Sequence, residues 1–326
     1  MRASTEWFKQ SGWGVFTHYL AGQASAREGV GLSPGEWNRR VDSFDVPGLV
    51  RQIESVGTPN YFITLGQNSG FYCSPNETYD ALAGARPSRL SDRDLIGELA
   101  EALHAKGVRL FVYLPSHAPA HHRQAVEGLR CAPSWDASAW QLRPGTYLRT
   151  GDVDERLSEF QRNWEAVIRE WSLRWGPKVH GWWIDGCYHA DRMYRHPDPP
   201  NFQSFAAALK AGNPQGIVAF NPGVRVPVVC HTEHEDYTAG EVSNAFPVCP
   251  GERIGGAQYH VLGYLGQAWG RGPVRFPDEF VIGYTRHVNA RGGVVTWDVP
   301  IEETGHIPQP FLDQLALLGR AGEQQR

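Results

Sequence analysis

The chain has 326 residues, a formal net charge of −4, 41% hydrophobic residues, 36 glycines and 23 prolines. This composition is typical of a globular protein and excludes collagen, coiled coils and disordered chains. The small net charge gives no electrostatic reason to expect nucleic-acid or anionic-membrane partners, and no apolar run reaches the length of about 18 residues that a transmembrane helix needs.

Short apolar runs alternate along the chain with amphipathic stretches. The apolar runs predict strands at Gly14–Leu20, Tyr61–Leu65, Val108–Leu114, Gly181–Asp185, Ile217–Phe220 and Val294–Trp297. Apolar residues at helical spacing predict helices at Val46–Val56, Asp92–Lys106, Val153–Trp175, Phe202–Lys210, Asp278–Ala290 and Pro310–Leu318.

Nearly every residue of these strands is apolar, so both faces of the sheet should be buried, as in parallel sheets. Strands that alternate with helices favour a (β/α)₈ TIM-type barrel, irregular in its second half, where residues 225–275 show no clear pattern. An open doubly wound sheet is the alternative. No repeat or linker interrupts the pattern, and we expect one domain over residues 1–326.

Several sequence features bear on cofactors and location. Five scattered cysteines include no C-x-x-C pair, so neither a structural zinc site nor a disulfide framework is predicted. No G-x-G-x-x-G follows the first strand and no P-loop occurs, which disfavours nucleotides, and we expect no cofactor. No signal peptide is visible, so we expect a cytoplasmic protein. The oligomeric state stays open, a homo-oligomer included.

The active site of a (β/α)₈ barrel lies at the carboxyl ends of its strands. The polar side chains predicted there are His18, Tyr19, Gln67, Asn68, Ser116, His117, Asp185 and Asn221. Asp185 follows Trp182-Trp183-Ile184 in a chain with 12 tryptophans, whose flat rings suit the apolar faces of sugars. This pattern predicts a nucleophile or base in a tryptophan-walled pocket, and the alternative is a cap for the following helix.

Glycosidase chemistry needs a second carboxylate close to the first. The segment His231–Glu241 supplies the candidates Glu233, Glu235, Asp236 and Glu241. The same segment admits a metal site, because alternate residues of an extended strand share a face. Its ligands would come from His231, Glu233 and Glu235, with His121 and His122 on another loop. No H-E-x-x-H and no G-x-S-x-G motif occurs, so we expect neither a catalytic metal nor a serine nucleophile.

These residues lie in motifs that resemble, in order along most of the chain, those of the α-L-fucosidases of glycoside hydrolase family 29. The matching segments are Trp7-Phe8 with Gly12–Tyr19 (W-F…K-F-G-I-F-I-H-W-G in the family), Glu36-Trp37-Asn38 (E-W-Y), Tyr61–Thr64 with Gly70-Phe71 (Y-x-V-L-T-x-K-H-H-D-G-F), Asp94–Ile96 with Gly107 and Tyr113, Tyr147–Gly176, Trp182–Gly186 (W-x-D-G), Asp236–Glu241 (D-[FY]-x-T-x-E), Gly263-Tyr264 (W-G-Y) and Gly292–Pro308.

The resemblance implies a retaining exo-glycosidase with Asp185 as nucleophile and Glu241 as acid/base. Some family members carry the acid/base in a W-E-x-C segment before W-G-Y, which makes Glu252 the second candidate, and Glu235 is the third. The resemblance also implies a sugar-binding role for His18. The other residues that we expect to contact the carbohydrate substrate are Glu36, Gln67, Asn68 and Tyr113, with Glu252 if it is not the acid/base, and Trp37, Trp183 or Trp269 stacked on the sugar.

The sequence also departs from the family pattern. Gln67 and Asn68 replace the paired sugar-binding histidines, Trp297 replaces an asparagine, and we expect no C-terminal β-sandwich. Amides can hydrogen-bond hydroxyl groups, but with a different pattern of donors and acceptors. A sugar other than L-fucose is therefore an alternative. A sugar-binding protein without activity and a metal-dependent hydrolase are the rival function classes.

Overall fold

Seven parallel strands form the main sheet of the computed structural model, which describes residues 2–22, 31–117, 119, 121–131 and 153–323. In chain order the strands are β1 Trp13–Thr17, β2 Asn60–Thr64, β3 Arg109–Pro115, β4 Val179–Asp185, β5 Ile217–Phe220, β6 Arg253–Ile254, β7 Ala257–Gln258, β8 His260–Tyr264 and β9 Val294–Val299. The two-residue strands β6 and β7 form a separate antiparallel pair.

Helices precede or connect most of these strands. They are α1 Glu6–Ser11, α2 Pro34–Asp42, α3 Val46–Val56, α4 Glu77–Ala83, α5 Leu95–His104, α6 Arg123–Leu129, α7 Ser158–Trp175, α8 Ala190–Met193, α9 Phe202–Leu209, α10 Asp278–Asn289 and α11 Gln309–Glu323. Across the ranges given above, none of the helices is long and apolar enough to cross a bilayer.

The order of the strands in the sheet is β5-β4-β3-β2-β1-β9-β8. The first strand therefore lies beside the last, and the order never reverses direction. An open doubly wound sheet reverses its order at a switch point, so that alternative is wrong. The sheet is a curled, TIM-like half-barrel, but it does not close as a regular eight-stranded barrel.

An irregular segment, residues 236–242, lies between the two edge strands of this sheet. Asp236 N donates to Val218 O of β5 over 2.8 Å, and on the other side Leu262 N of β8 donates to Gly240 O over 2.9 Å. Gly240 has φ +62°, and a Cβ there would lie 1.9 Å from His260 O. This close approach and left-handed backbone explain why the segment is no regular strand. It places Glu241 at the same edge as the carboxyl ends of β4 and β5.

Two apolar clusters cover the two faces of the sheet. The inner face carries mainly aromatic side chains, including Phe62 and Phe111, whose rings stack with centroids 4.1 Å apart. The outer face packs against the helices through aliphatic residues and the large side chains of Trp37, Trp164 and Trp171. Both faces are therefore buried, as the apolar strands predicted.

Most predicted elements are present, with shifted ends. The helix Val46–Val56 is confirmed, and it ends where Gly57 adopts φ +68°. Helix α5 begins at Leu95 because the side chain of Asp94 caps it by accepting from Gly97 N. Helix α7 begins at Ser158, five residues later than predicted, because Leu157 has φ +53°. Tyr147, at the start of one matching segment, lies outside the described residues.

Candidate active site

The carboxylate of Asp185 lies at the end of β4 and is held by several donors. Tyr113 Oη donates to its Oδ2 over 2.7 Å. Its Oδ1 accepts from Asn221 Nδ2 and from Gly186 N, each over 2.8 Å. The helix that follows, α8, begins at Ala190 after His189, so Asp185 does not cap it and that alternative is wrong. These bonds fix the orientation of the carboxylate.

Asn221 joins Asp185 to Glu241. Its Nδ2 donates over 2.8 Å to Asp185 Oδ1 and over 2.7 Å to Glu241 Oε2. Because both oxygens bond one nitrogen, they can lie no farther apart than the two bonds laid end to end, 5.5 Å. The side chain is itself positioned, since Gly223 N donates to Asn221 Oδ1 over 3.1 Å. The structure thus brings together the first-ranked pair of predicted carboxylates.

The pKa of Glu241 is raised to about 7, first by burial and then by the negative charge of Asp185. The hydrogen bond from Asn221 and the charge of His18 oppose this rise in the pKa. A carboxyl group with a pKa near neutrality can release a proton in one step and accept it in the next. Glu241 therefore has the electrostatic setting of a general acid/base.

His18 is fixed at the end of β1 by an acid that the sequence did not single out. Asp298 at the end of β9 accepts from His18 Nδ1 over 2.7 Å and from Gly270 N over 2.6 Å. Burial raises the pKa of Asp298. The half-buried ring of Trp269 lies 5.8 Å, centroid to centroid, from the His18 ring. Because Asp298 occupies Nδ1, Nε2 is the His18 atom left for a ligand.

Gln67 and Asn68, which replace the family's paired histidines, follow β2 and are half-buried. Gln67 Nε2 donates over 2.9 Å to Tyr113 Oη, which itself donates to Asp185. Asn68 Oδ1 is buried, and within the described part of the chain it has no hydrogen-bond partner. A buried acceptor without a donor is costly, which favours a ligand hydroxyl there. Both amides follow β2 at the carboxyl end of the sheet, and Gln67 is joined to Asp185 through Tyr113.

The tryptophans differ in how much of their rings they expose. Trp183 lies in β4 beneath the site, 3% exposed, with its ring stacked on that of Tyr113 at 5.5 Å. Trp37 is only 1% exposed and donates from Nε1 to Tyr72 O. A sugar needs an open ring face, which Trp37 does not offer. Trp269 is the half-buried member of the three predicted stacking residues.

Two further acids predicted for the site, Glu252 and Glu36, bond other partners. Glu252 bonds Lys9 Nζ over 2.9 Å and contacts Gly292, which precedes β9, so it lies where the strands begin. That is the opposite end of the sheet from the site. Glu36 is exposed and accepts from the backbone and hydroxyl of Ser33 in a capping box at the start of α2.

The third acid/base candidate, Glu235, is 0% exposed and accepts from His231 N and Phe220 N. The ligands of the alternative metal site do not converge, because the side chain of Glu233 is 80% exposed while that of Glu235 is fully buried. Among the residues that the structure describes, no three such side chains come together to hold a metal. The strand geometry assumed for that alternative is therefore wrong.

Sequence reasoning missed three roles in this site. Asn221 was expected at a strand end, but its bridge between two acids depends on the irregular segment 236–242. Asp298 directly follows the predicted strand Val294–Trp297, and that position was a usable signal. Tyr188, with Oη 3.5 Å from Asp185 Oδ1 and 49% of its surface exposed, lies in a loop with no such signal.

Comparison with known proteins gives matches only among solved structures. No protein-family model and no curated protein matches the sequence. Two endo-fucoidan hydrolases of glycoside hydrolase family 107 match in fold. MfFcnA4 has a TM-score of 0.70 and 16% identity over 97% of this chain and 53% of its own. MfFcnA9 has a TM-score of 0.70 and 18% identity over 97% of this chain and 63% of its own. The chain thus spans less than two thirds of either hydrolase.

The α-L-fucosidase AlfC from Lactobacillus casei, in complex with α-L-fucose product, matches over the whole length of both chains. Its TM-score is 0.66 and its identity 18%, over 99% of this chain and 99% of that one. At these identities the likeness concerns the fold. This chain therefore has an α-L-fucosidase-like fold, as its motifs predicted.

Proposed function

We propose that the protein is a retaining exo-glycoside hydrolase that acts on a terminal sugar, with α-L-fucosides as the first candidate substrates. The observation that carries this proposal is the pair of carboxylates, Asp185 and Glu241, bonded to the one amide nitrogen of Asn221. The α-L-fucosidase-like fold and the resemblance of the motifs support the same activity. The full-length match to a fucosidase favours exo action over the endo action named for the fucoidan hydrolases.

The distance between the acids favours the retaining mechanism. Retaining glycosidases hold their two carboxyl groups about 5–5.5 Å apart, whereas inverting enzymes separate them by about 6.5–9.5 Å to admit a water molecule. The oxygens of Asp185 and Glu241 that bond Asn221 lie at most 5.5 Å apart, a proximity compatible with the retaining range.

In the first step, a carboxylate oxygen of Asp185 bonds to the anomeric carbon as the bond from that carbon to the leaving oxygen breaks. Glu241 gives its proton to the leaving oxygen, and a glycosyl ester of Asp185 remains. In the second step, Glu241 takes a proton from water, whose oxygen bonds to the anomeric carbon and displaces Asp185. Tyr113 and Asn221 hold the Asp185 carboxylate and spread its charge through their donors.

The sugar would lie over this pair, between His18 and the amides after β2. His18 Nε2, Gln67 and Asn68 Oδ1 are the groups for its hydroxyls, and Trp269 offers a half-buried ring for its apolar face. Gln67 already donates to Tyr113, so it offers fewer contacts than a free amide. This difference from a histidine pair favours a second candidate, a glycosidase for another monosaccharide with a similar hydroxyl pattern.

The test is a panel of nitrophenyl glycosides with wild-type protein, Asp185→Gly and Asp191→Asn. Asp191 is the control because it is an aspartate close to Asp185 in the chain and its side chain is 87% exposed. We expect hydrolysis of the α-L-fucoside or a related glycoside, its loss in Asp185→Gly, and its retention in Asp191→Asn. Full activity of Asp185→Gly would contradict the proposal. Saturable sugar binding with no turnover of any glycoside would instead support the rival, a sugar-binding protein without activity.

A further inference from the structure

Exposed apolar side chains are concentrated beside the two acids. Across the described ranges, six large hydrophobic residues are exposed: Leu173, Tyr188, Val224, Val226, Val229 and Val248. Four of them, Tyr188, Val224, Val226 and Val229, lie in the loops that follow β4 and β5, and we call these four the rim patch. Clustered exposed apolar residues mark ligand-binding surfaces more often than scattered ones do.

The rim patch is continuous with the carboxylates. Tyr188 Oη lies 3.5 Å from Asp185 Oδ1, and its ring packs on Gly223, where an added Cβ would lie 3.2 Å from ring atom Cε1. Val229, Arg225 and Glu241 line the same narrow crevice. The patch therefore approaches Asp185 through Tyr188 and Glu241 through Val229.

The position of Glu241 indicates which part of a substrate the patch would meet. A general acid must reach the leaving oxygen, so the leaving group lies on the side of the acid. The loop over residues 222–229 presents three exposed valines, one exposed arginine and no acid on that side. Contact between this surface and apolar atoms of a ligand lowers the free energy. The surface offers few hydrogen-bond partners for the hydroxyls of a second sugar.

We infer that the rim patch is the leaving-group subsite and that it selects glycosides whose leaving group is apolar or aromatic. This inference rests on the proposed function, because it takes Glu241 as the acid. The half-exposed ring of Tyr188 would contact the leaving group on one side, and Val224, Val226 and Val229 would cover it on the other. The exposed side chain of Arg225 lies beside them at the edge of the crevice that Val229 and Glu241 line.

The test compares ethyl and octyl α-L-fucosides, or the same pair built on whichever sugar the glycoside panel identifies. The two alcohols leave with similar ease, so the ratio of their kcat/KM values reports contacts with the chain. Each methylene taken out of water favours the octyl glycoside about fourfold. If at least two methylenes are covered, the wild-type ratio should be about tenfold or more.

The double substitution Val224→Ser with Val229→Ser should bring this ratio close to one. Val248 is 72% exposed and lies outside the rim patch, so the control Val248→Ser should leave the wild-type ratio unchanged. A ratio near one in the wild type, or a ratio that the double substitution leaves unchanged, would overturn the inference while leaving the glycosidase standing. Absence of turnover with every glycoside would overturn the proposed function and the subsite with it. If the wild type sediments as a dimer and the double variant as a monomer, the patch binds a second copy of the chain and the inference is overturned.

Discussion

Glu235 and Glu241 belong to one stretch of chain, yet they lie in two different regions of the molecule. Glu235 is 0% exposed, and backbone N–H groups of His231 and Phe220 donate to its two oxygens. Glu241 lies at the rim of the sheet, lines a narrow crevice together with Val229, and bonds Asn221. Burial raises both pKa values, to about 8 for Glu235 and about 7 for Glu241.

This comparison shows that a raised pKa does not by itself identify an acid/base. The oxygens of Glu235 are occupied by the backbone, so its proton has no substrate to reach. The pKa of Glu241 is raised partly by the charge of Asp185, the group with which it would share a reaction. A functional acid needs an open approach and a partner as well as a shifted pKa.

The largest expected effect is on the rate of hydrolysis when each of the two acids is replaced by glutamine, which has nearly the same shape. Glu241→Gln should lower kcat/KM for an alkyl glycoside by about 10²- to 10⁴-fold, because its leaving oxygen needs a proton. The loss should be much smaller for a nitrophenyl glycoside, whose leaving group departs as an anion. Glu235→Gln should keep both activities. Equal losses in the two variants, measured by initial rates, would remove the distinction between the two regions.

A smaller effect should appear in the pH dependence. Glu241 must be protonated when the leaving oxygen departs, so kcat/KM should fall as pH rises through about 7. The hydrogen bond from Asn221 lowers the pKa of Glu241. Asn221→Ala should therefore move the alkaline limb of the kcat/KM profile to higher pH, in addition to slowing the enzyme. If Asn221→Ala slows the reaction with the limb unmoved, Asn221 has only a structural role.

The smallest effect concerns stability rather than activity. Because the pKa of Glu235 is raised in the folded state, its stabilising contribution is present below the unfolded value of about 4.5. That contribution is lost as pH rises through about 8. The free energy of unfolding of the wild type, relative to Glu235→Gln, should therefore decline from pH 5 to pH 9 in urea titrations. Parallel curves for the two proteins would show that Glu235 does not titrate in this window.

The sequence predicted much of the fold because the relevant signals are local. The apolar run before Asp185 and the helical spacing of Val46–Val56 need no knowledge of distant residues. The start of α7 was wrong because Leu157 adopts a left-handed backbone that its side chain does not signal, whereas the predicted end at Trp175 is confirmed. The alternation of strands and helices indicated a barrel, and the missing pattern over residues 225–275 indicated an irregular second half, but not that segment 236–242 lies between the two edge strands.

The site was predictable where it depended on strand ends and not where it depended on side-chain environment. Asp185, His18, Gln67 and Asn68 lie at the expected edge of the sheet. Which of Glu241 and Glu252 lies near Asp185 depends on the path of segment 236–242 relative to β8. Trp37 was expected on the sugar, but nothing in its neighbours Glu36 and Asn38 shows that its ring is 1% exposed.

The most direct test of the central claim is to trap the glycosyl ester. Wild-type protein is treated with a 2-deoxy-2-fluoro glycosyl fluoride of the sugar it hydrolyses, which slows release of the ester more than its formation. Peptide mass spectrometry should then locate one fluoroglycosyl group on Asp185, and Asp185→Asn should take up none. A label on any other side chain, or continued turnover of the fluoride with no labelled peptide, would contradict the account.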